Sequence, residues 1–272
     1  MFNFLQRQTP APLVFFHIPK TAGTTFRNII VDVYPARAIY KLSGLNIEKD
    51  IKLLEQMPVH KRRKIQVLMG HRSDLAASLL RQPVIFLTFI REPIQHTISS
   101  YSYIATSPQN RYYDEVRQLP DIHSFLNWQV QSGFDNQQCR YLAGIDVRSD
   151  TNNKAINMAT EGQLYFEKAL EKLNSFDYVL LTEHFDEAIL ILKQQLHWKN
   201  PPYYQKLNQS KQLAGINNDK KIIEDIGRVN QWDFKLYEHA EKIFERLKKN
   251  YTGSLRQDLH QFQEKNTKKD YR

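Results

Sequence analysis

Cysteine is nearly absent from this sequence, and so are long hydrophobic runs. Cys139 is the one cysteine among 272 residues, which excludes an intrachain disulfide and a zinc site built from several thiolates. The longest strongly apolar run, residues 84–90, is far shorter than the roughly 20 residues that span a bilayer. The apolar stretch near residue 13 lacks the basic leader and the cleavage pattern of a signal peptide. We therefore expect a cytoplasmic protein without a transmembrane segment.

Acidic residues are also scarce relative to basic ones. The sequence has 38 Lys and Arg against 29 Asp and Glu, a formal charge of +9. Such an excess attracts anions without selecting which anion. Part of the excess is local, because residues 245–272 contain eight basic and four acidic residues. We expect residues 1–252 to form a single domain and residues 253–272 to be a basic C-terminal tail that frays.

Four short apolar runs, rich in β-branched and aromatic residues, predict buried strands at 13–17, 65–69, 84–90 and 178–181. Segments with a helical period lie between and after these runs. The predicted helices cover residues 24–33, 93–103, 163–173, 187–196 and 222–249. Strands that alternate with helices are typical of an α/β fold, in which helices cover both faces of a central parallel sheet.

The first predicted strand runs directly into a loop and a helix start, with the sequence His-Ile-Pro-Lys-Thr-Ala-Gly-Thr-Thr at residues 17–25. Such a loop points main-chain N–H groups and the positive end of a helix dipole at one spot, where phosphate-like anions bind. Lys20 adds a full positive charge. The loop is not a Walker A motif, because the lysine precedes the glycine, and this disfavours a nucleoside triphosphatase. A purely structural alternative has Thr24 capping the helix and Gly23 permitting the turn.

The third predicted strand ends in Ile-Arg-Glu-Pro at residues 90–93, and a helix follows. Arg91 therefore lies at the carboxyl end of a strand, where open α/β sheets bind ligands. Pro93 at a first helical position is ordinary helix chemistry. Taken alone, Arg91 is equally explained as a paired surface charge. Two anion-binding strand ends in one sheet, however, suit a ligand with two separated phosphate groups.

These two segments resemble the donor-binding motifs of the carbohydrate sulfotransferases. HIPKTAGTT at residues 17–25 resembles the 5′-phosphosulfate loop of that family, and IREPIQHTISSYSY at residues 90–103 resembles its 3′-phosphate motif, commonly R-D-P-x-x-R-x-x-S. The resemblance is closest to the heparan sulfate 2-O- and 6-O-sulfotransferases and their bacterial relatives. It implies a P-loop-kinase-like sulfotransferase fold. It also implies the donor 3′-phosphoadenosine 5′-phosphosulfate (PAPS), with adenosine 3′,5′-bisphosphate (PAP) as the product.

The resemblance further implies which residues bind the donor. Residues 20–25 hold the 5′-phosphosulfate, Arg91 and Ser99 hold the 3′-phosphate, and a loop at residues 206–211 closes over the nucleotide. The donor-binding positions are Lys20, Thr21, Ala22, Gly23, Thr24, Thr25, Arg91, Ser99, Lys206, Asn208, Ser210 and Lys211.

Three positions depart from the family pattern. Glu92 replaces the usual Asp and keeps its acidic character. His96 stands where Arg is usual, which weakens one cationic contact near the 3′-phosphate. Ala22 replaces a common Gly, a change of little consequence if the backbone torsions there are ordinary.

Sulfuryl transfer to a hydroxyl needs a base for the acceptor proton, in-line placement and positive charge near the leaving phosphate, but by this logic no metal. We assign the positive charge to Lys20. The base should be a group that can be neutral near pH 7. His71 follows the strand at 65–69, and the resemblance implies that a Gly-His element after this strand carries the base. The residues expected to contact the acceptor are Tyr101, Tyr103 and Arg72.

The sequence thus predicts a PAPS-dependent sulfotransferase that acts by in-line displacement on a saccharide or small-molecule hydroxyl, including anionic acceptors that suit a basic groove. Two other classes remain open. A kinase-like phosphotransferase would share the fold, but it should carry a Walker A loop and a metal-binding acid, and neither is evident. A basic nucleic-acid-binding protein would explain the positive charge, but no reader motif is evident. We therefore expect no nucleic acid as a partner.

Overall fold

The computed structural model describes residues 11–43, 46–145, 156–199, 202–204 and 219–268. Within these ranges the chain forms a five-stranded sheet in which every neighbouring pair of strands is parallel. The strands are β1 (Leu13–Phe16), β2 (Ile39–Lys41), β3 (Val67–Gly70), β4 (Ile85–Ile90) and β5 (Tyr178–Leu181). Their spatial order is β2-β3-β1-β4-β5. The predicted α/β class with a central parallel sheet is confirmed.

All four strands predicted from the sequence are present, with small shifts at their ends. The sequence prediction missed β2, an edge strand of three residues that are half-buried or exposed. A strand this short, with mixed exposure, has neither the continuous apolar run nor the alternation that would have revealed it. The edge position explains its composition, because an edge strand has only one neighbour.

Helices cover both faces of the sheet. Their bounds are α1 Gly23–Val33, α2 Ile47–Gln56, α3 Val59–Arg62, α4 Pro93–Thr106, α5 Tyr113–Val116, α6 Ile122–Ser132, α7 Gln137–Leu142, α8 Met158–Asn174, α9 Phe185–Gln195, α10 Lys220–Val229, α11 Gln231–Lys249 and α12 Leu255–Lys268. Two 3₁₀ segments, Ala36–Ala38 and Ser73–Leu80, complete the described elements. No helix among the described residues is both long and apolar enough to cross a membrane.

The central strand β1 shows why its sequence is a continuous apolar run. Leu13 and Phe15 pack into the large cluster that includes residues of α1, α7, α8, α9 and α11. Val14, which points to the opposite face, packs into a second cluster with Leu54 and Leu80. Because β1 is buried on both faces, alternation of polar and apolar residues is absent. This burial holds the carboxyl end of β1, and thus the loop after it, at the centre of the sheet edge.

The predicted helix at 222–249 is two helices that meet at Asn230. The side chain of Asn230 accepts a hydrogen bond from the main-chain N–H of Asn136 at 2.8 Å. Asn136 in turn accepts one from the N–H of Trp232, at 2.8 Å, through its own side chain. This reciprocal pairing satisfies main-chain donors near the starts of α7 and α11, and it replaces the hydrogen bonds that a continuous helix would have made.

A buried carboxyl group extends the same contact toward the sheet. Asp233 accepts hydrogen bonds from the N–H groups of Gln138 at 3.2 Å and Cys139 at 2.7 Å, and burial raises the pKa of Asp233 to about 7. Gln138 binds the main chain of Arg91 twice, because Arg91 N donates to Oε1 and Gln138 Nε2 donates to Arg91 O, both at 2.8 Å. The carboxyl end of β4 is therefore fixed by a chain of contacts that begins in α11.

The segment 253–272, expected to be a basic tail that frays, is helical and packed over residues 255–268. Phe262 of α12 is only 3% exposed and belongs to the main core cluster, against which Leu255 and Leu259 also pack. The charge excess of this segment masked its apolar positions at 255, 259 and 262. Their spacing of four and three residues places them on one face of a helix.

We predict that Asp233→Ala destabilises the protein, because it leaves the buried N–H groups of residues 138 and 139 without their acceptor. Each unsatisfied group costs about 1–3 kcal/mol, so the free energy of unfolding should fall by about 2–6 kcal/mol in urea denaturation. Glu238→Ala, at an exposed position of the same helix, is the matched control and should change stability by less than about 0.5 kcal/mol. Equal effects of the two substitutions would contradict this role of Asp233.

Candidate active site

The loop between β1 and α1 has three successive main-chain carbonyl groups that all accept hydrogen bonds from side chains. The three pairs are Thr21 Oγ1 with Ile18 O at 2.8 Å, His96 Nε2 with Pro19 O at 2.9 Å, and Arg91 Nη1 with Lys20 O at 3.0 Å. A carbonyl oxygen that accepts such a bond is directed toward its donor. These three oxygens are therefore directed toward the protein side of the loop.

The backbone torsions of the same loop are of a kind that brings N–H groups together. Lys20 and Ala22 adopt left-handed conformations, with φ of 65° and 61°, and α1 begins immediately afterwards at Gly23. Left-handed residues that alternate with ordinary ones form a concave group of N–H donors that binds anions. The positive end of the α1 dipole adds to this field. The loop thus has the backbone geometry that anion-binding loops share.

Ala22 stands where the family commonly has Gly, and its backbone torsions are not ordinary. The replacement therefore affects the loop. With φ at 61°, the Cβ of Ala22 is close to the following carbonyl oxygen, and such a conformation costs an L-residue about 1–2 kcal/mol. The surrounding hydrogen bonds hold Ala22 in this strained state.

Gly23 is required by the close approach of His17. A Cβ on residue 23 would lie 1.8 Å from Nε2 of His17, so any larger residue would displace the imidazole ring. His17 is buried, and its ring stacks on that of His71 with centroids 4.5 Å apart. The loop at residues 17–25 therefore contacts His71 directly, through the ring of His17.

His71 is held by the main chain of the same loop. It follows Gly70, which has a φ of 147° and at which an added Cβ would lie 2.8 Å from Leu42, so no side chain fits there. The Nδ1 atom of His71 lies 2.8 Å from the carbonyl oxygen of His17. Because a carbonyl can only accept, Nδ1 carries the proton, and the basic lone pair of a neutral His71 ring is on Nε2.

Lys20 lies at the mouth of the loop. Its Nζ is 4.0 Å from the centroid of the Tyr103 ring, a cation–π contact that fixes the direction of the side chain. Burial, together with the nearby charge of Arg91, lowers the pKa of Lys20 to about 8. The ammonium group is thus still charged at neutral pH, and it is a stronger proton donor than an exposed lysine.

Arg91 serves the loop and also faces the site. While Nη1 binds Lys20 O, Nε is buried and has no hydrogen-bond partner among the described residues. Oε1 of Glu183 lies 4.0 Å from Nε. Glu92, the substitute for the usual Asp, caps α4 by accepting from the N–H groups of Ile94 and Gln95. Its acidic side chain therefore acts as a helix cap.

His96 cannot provide the cationic contact that Arg provides in related motifs. The ring is 3% exposed, and burial lowers its pKa to about 3, so it is neutral under ordinary conditions. Its proton is used for the hydrogen bond to Pro19 O. His96 thus orients the loop without adding charge.

A cavity of about 1620 Å³ lies over the carboxyl ends of the strands. The sequence-predicted residues that line it are His71, Lys20, Ala22, Gly23, Thr24, Thr25, Arg91, Ser99 and Tyr103. Lys206, Asn208, Ser210 and Lys211 lie outside the described residues. In the described ranges, no group of three or more His, Cys, Asp or Glu residues could hold a metal ion.

Three predicted residues have side chains that the structure places elsewhere. Thr21 is fully buried, and its hydroxyl binds Ile18 O. The Tyr101 ring packs on Phe125, with centroids 4.9 Å apart, because it lies between two apolar clusters.

Arg72, also assigned to the acceptor, binds Gly144 O through Nη1 at 2.9 Å, and its Nε is 3.5 Å from Asp74. Neither Arg72 nor Tyr101 lines the cavity. Arg72 instead joins the segment after β3 to the end of α7. Its direction depends on these contacts with residues distant in sequence, so sequence adjacency to His71 was misleading.

Several lining residues were not assigned from the sequence. Arg27, Arg111 and Glu183 carry charges into the cavity wall. Arg27 lies four residues after Gly23 on α1, a spacing that places the two on one helix face and could have indicated it. No pattern near Arg111 or Glu183 gave a comparable signal.

The fold and the site together define an α/β protein with a loop of anion-binding geometry and a second cationic strand end. The Galactose-3-O-sulfotransferase family model matches residues 5–269. The chain therefore belongs to this family, and the predicted resemblance to carbohydrate sulfotransferases is confirmed.

Individual relatives are more distant. Heparan-sulfate 6-O-sulfotransferase 1-B of Danio rerio is 24% identical over 178 residues, which cover 59% of this chain and 44% of the relative. The human heparan-sulfate 6-O-sulfotransferase 1 is 23% identical over 192 residues, 64% of this chain and 46% of the relative. Heparan sulfate 2-O-sulfotransferase 1 of Gallus gallus is 22% identical over 203 residues, 71% and 56% respectively. This chain thus spans about half the length of these relatives.

We predict that Ala22→Gly stabilises the protein by about 1 kcal/mol, because glycine adopts a positive φ without the Cβ penalty. Thermal unfolding monitored by circular dichroism measures the effect. Ala143→Gly is the matched control, because Ala143 has an ordinary φ of −68° and its replacement should lower stability. A loss of stability in both variants would contradict the strain assigned to Ala22.

Proposed function

We propose that this protein transfers the sulfuryl group of PAPS to a hydroxyl group of a saccharide or related acceptor. The observation that carries the proposal is the geometry of the loop after β1. Three of its carbonyl groups are bound by side chains, which leaves its N–H groups, with Lys20, to form an anion site. Membership of the galactose-3-O-sulfotransferase family supports it. The order of the strands and the position of the loop after β1 support a P-loop-kinase-like variant of the α/β fold.

The residues of the site fit a donor with two separated phosphate groups. The N–H groups of residues 22–25 and the Lys20 ammonium would hold the 5′-phosphosulfate. Arg91 and Ser99 would hold the 3′-phosphate, and the buried Nε of Arg91 would find there the acceptor that the described residues do not provide. The cavity, about 1620 Å³, is larger than the 300–1,000 Å³ or so that is usual for a small ligand. It can therefore take a nucleotide and an acceptor together.

When bound, the donor would supply an activated sulfuryl group for in-line transfer to the acceptor oxygen. His71 acts as the base, and Nε2 removes the proton of the acceptor hydroxyl as that oxygen bonds to sulfur. The hydrogen bond from Nδ1–H to His17 O fixes the required tautomer and stabilises the imidazolium that forms.

Lys20 acts at the other end of the breaking bond. Its ammonium group stabilises the negative charge that collects on the leaving phosphate oxygen as the sulfur–oxygen bond breaks. The cation–π contact with the Tyr103 ring restricts the position of this group. The chemistry assigned to His71 and Lys20 involves no metal ion.

The acceptor is proposed to be a saccharide, and the charge of the wall favours an anionic one. Arg27 and Arg111 are exposed residues of the cavity lining, and both attract carboxylate or sulfate groups. Tyr103, which is 46% exposed, offers an apolar ring face for a sugar. The names of the relatives refer to heparan sulfate, which is an anionic saccharide. Kinase-like and nucleic-acid-binding alternatives are not favoured by the family match.

We predict that the wild-type protein transfers radiolabelled sulfate from PAPS to one or more members of a glycan panel. His71→Ala should reduce kcat by about 10²–10⁴-fold, the usual contribution of general base catalysis, while PAP still binds. His60→Ala, an exposed histidine on α3, is the control and should leave kcat unchanged. Near-normal turnover by His71→Ala with bound donor would refute the base assignment.

We also predict an alkaline limit on activity. Because Lys20 must be protonated to stabilise the leaving group, and its pKa is about 8, kcat/KM for the donor should fall as the pH rises through about 8. Lys20→Arg keeps the charge at all accessible pH values and should lack this limit, even if its rate is lower. An unchanged alkaline limit in Lys20→Arg would assign the titration to another group.

A further inference from the structure

The cavity has a second end, beyond β5, that the proposed catalytic residues do not use. Phe185, Tyr204, Leu259 and Gln263 line this end. Two of these residues, Leu259 and Gln263, belong to α12, the helix within the segment that the sequence suggested was a basic tail. The C-terminal helix is thus a wall of the same cavity that contains the anion loop.

Helix α12 binds the chain at residues 203–204. The Asn266 side chain binds the main chain of Tyr204 twice: Tyr204 N donates to Oδ1 at 2.7 Å, and Asn266 Nδ2 donates to Tyr204 O at 2.9 Å. The ring of Tyr203 stacks on that of Phe262, with centroids 5.6 Å apart and an interplanar angle of 15°. Because Phe262 is anchored in the core, α12 holds the main chain of Tyr204 and the ring of Tyr203.

The carboxylate of Asp186 connects Tyr204 and α12 to the start of α9. Asp186 accepts a hydrogen bond from the hydroxyl of Tyr204 on one oxygen and from Gln263 Nε2, at 2.9 Å, on the other. The Tyr204 ring meets Phe185 edge to face, with centroids 4.9 Å apart. The side chains of Tyr204 and Gln263 are thus fixed by one acidic group before any ligand arrives.

The chemistry of the two ends of the cavity is different. The loop end carries Lys20 and Arg91, whereas the α12 end combines two aromatic rings, a leucine and one amide with the carboxylate of Asp186. Thr182 lies between them at the end of β5, and its buried hydroxyl has no hydrogen-bond partner among the described residues. A ligand that fits both ends has anionic groups on one side and a planar, largely apolar body with polar edges on the other.

We propose that α12 forms part of the donor site. Leu259 and Gln263, together with Phe185 and Tyr204, contact the aromatic base of the donor nucleotide. Asn266 is a positioning residue that acts through Tyr204. The inference rests on the proposed function, because the base is that of PAPS. It assigns a role to a helix within the segment that was expected to be a basic tail.

The test is titration calorimetry of the full chain with PAP, and with inorganic pyrophosphate as an anion without a base. Gln263→Ala and Asn266→Ala should each raise the Kd for PAP by about tenfold, the equivalent of losing one or two hydrogen bonds. Both should leave the Kd for pyrophosphate unchanged. Gln261→Ala, at an exposed position of α12, should change neither value.

Two results would overturn the inference while leaving the proposed function in place. The first is wild-type affinity for PAP in both Gln263→Ala and Asn266→Ala. The second is an equal loss of PAP and pyrophosphate binding in these variants, which would give α12 a structural role only. Failure of the wild-type protein itself to bind PAP would instead remove the proposed function, and the inference with it.

Discussion

A loop that binds an anion through its main chain has to keep its own carbonyl oxygens away from that anion. Here three side chains meet this constraint, one for each of the carbonyls of residues 18, 19 and 20. Each such bond contributes about 0.5–1.5 kcal/mol. The left-handed conformations of Lys20 and Ala22 cost about 1–2 kcal/mol each. The two sums are similar, so the loop holds its shape because all three donors are present.

The donors depend in turn on distant parts of the chain. Arg91 is placed by Gln138, and Gln138 by the buried carboxyl of Asp233 on α11. The loop also fixes the second histidine, since His71 binds the carbonyl of His17 and stacks on its ring. The proposed base and the proposed leaving-group stabiliser are therefore held by one main-chain segment. A change in α11 should reach both of them through β4.

The sequence was informative where function requires a local pattern. The strands could be predicted because each depends on a few adjacent residues. The positions of the loop at 17–25, Arg91 and His71 at one edge of the sheet follow from the rule that parallel strands end there. The directions of the Tyr101 and Arg72 side chains, in contrast, depend on packing. Tyr101 faces an apolar cluster and Arg72 turns to Gly144, and neither direction follows from the residues beside them.

The consequences of the departures from the family motif were the least predictable, because they depend on the three-dimensional surroundings of each residue. His96 was expected to be a weaker cationic contact, but a buried neutral ring that binds Pro19 O carries out a different task from an arginine. Ala22 was expected to matter only if its torsions were unusual, and they are. The role of α12 was hidden for the opposite reason, since its charge suggested solvent and its three apolar residues bring it into the core.

We propose above all that the loop at residues 17–25, whose carbonyl groups bind side chains, holds the 5′ group of the donor. A crystal structure of the protein with bound PAP tests it most directly. We expect the 5′-phosphate oxygens within hydrogen-bond distance of the main-chain N–H groups of residues 22–25, with the carbonyls of residues 18–20 still bound to their three side-chain donors. A nucleotide bound elsewhere, or a loop that turns those carbonyls toward the phosphate, would contradict the claim.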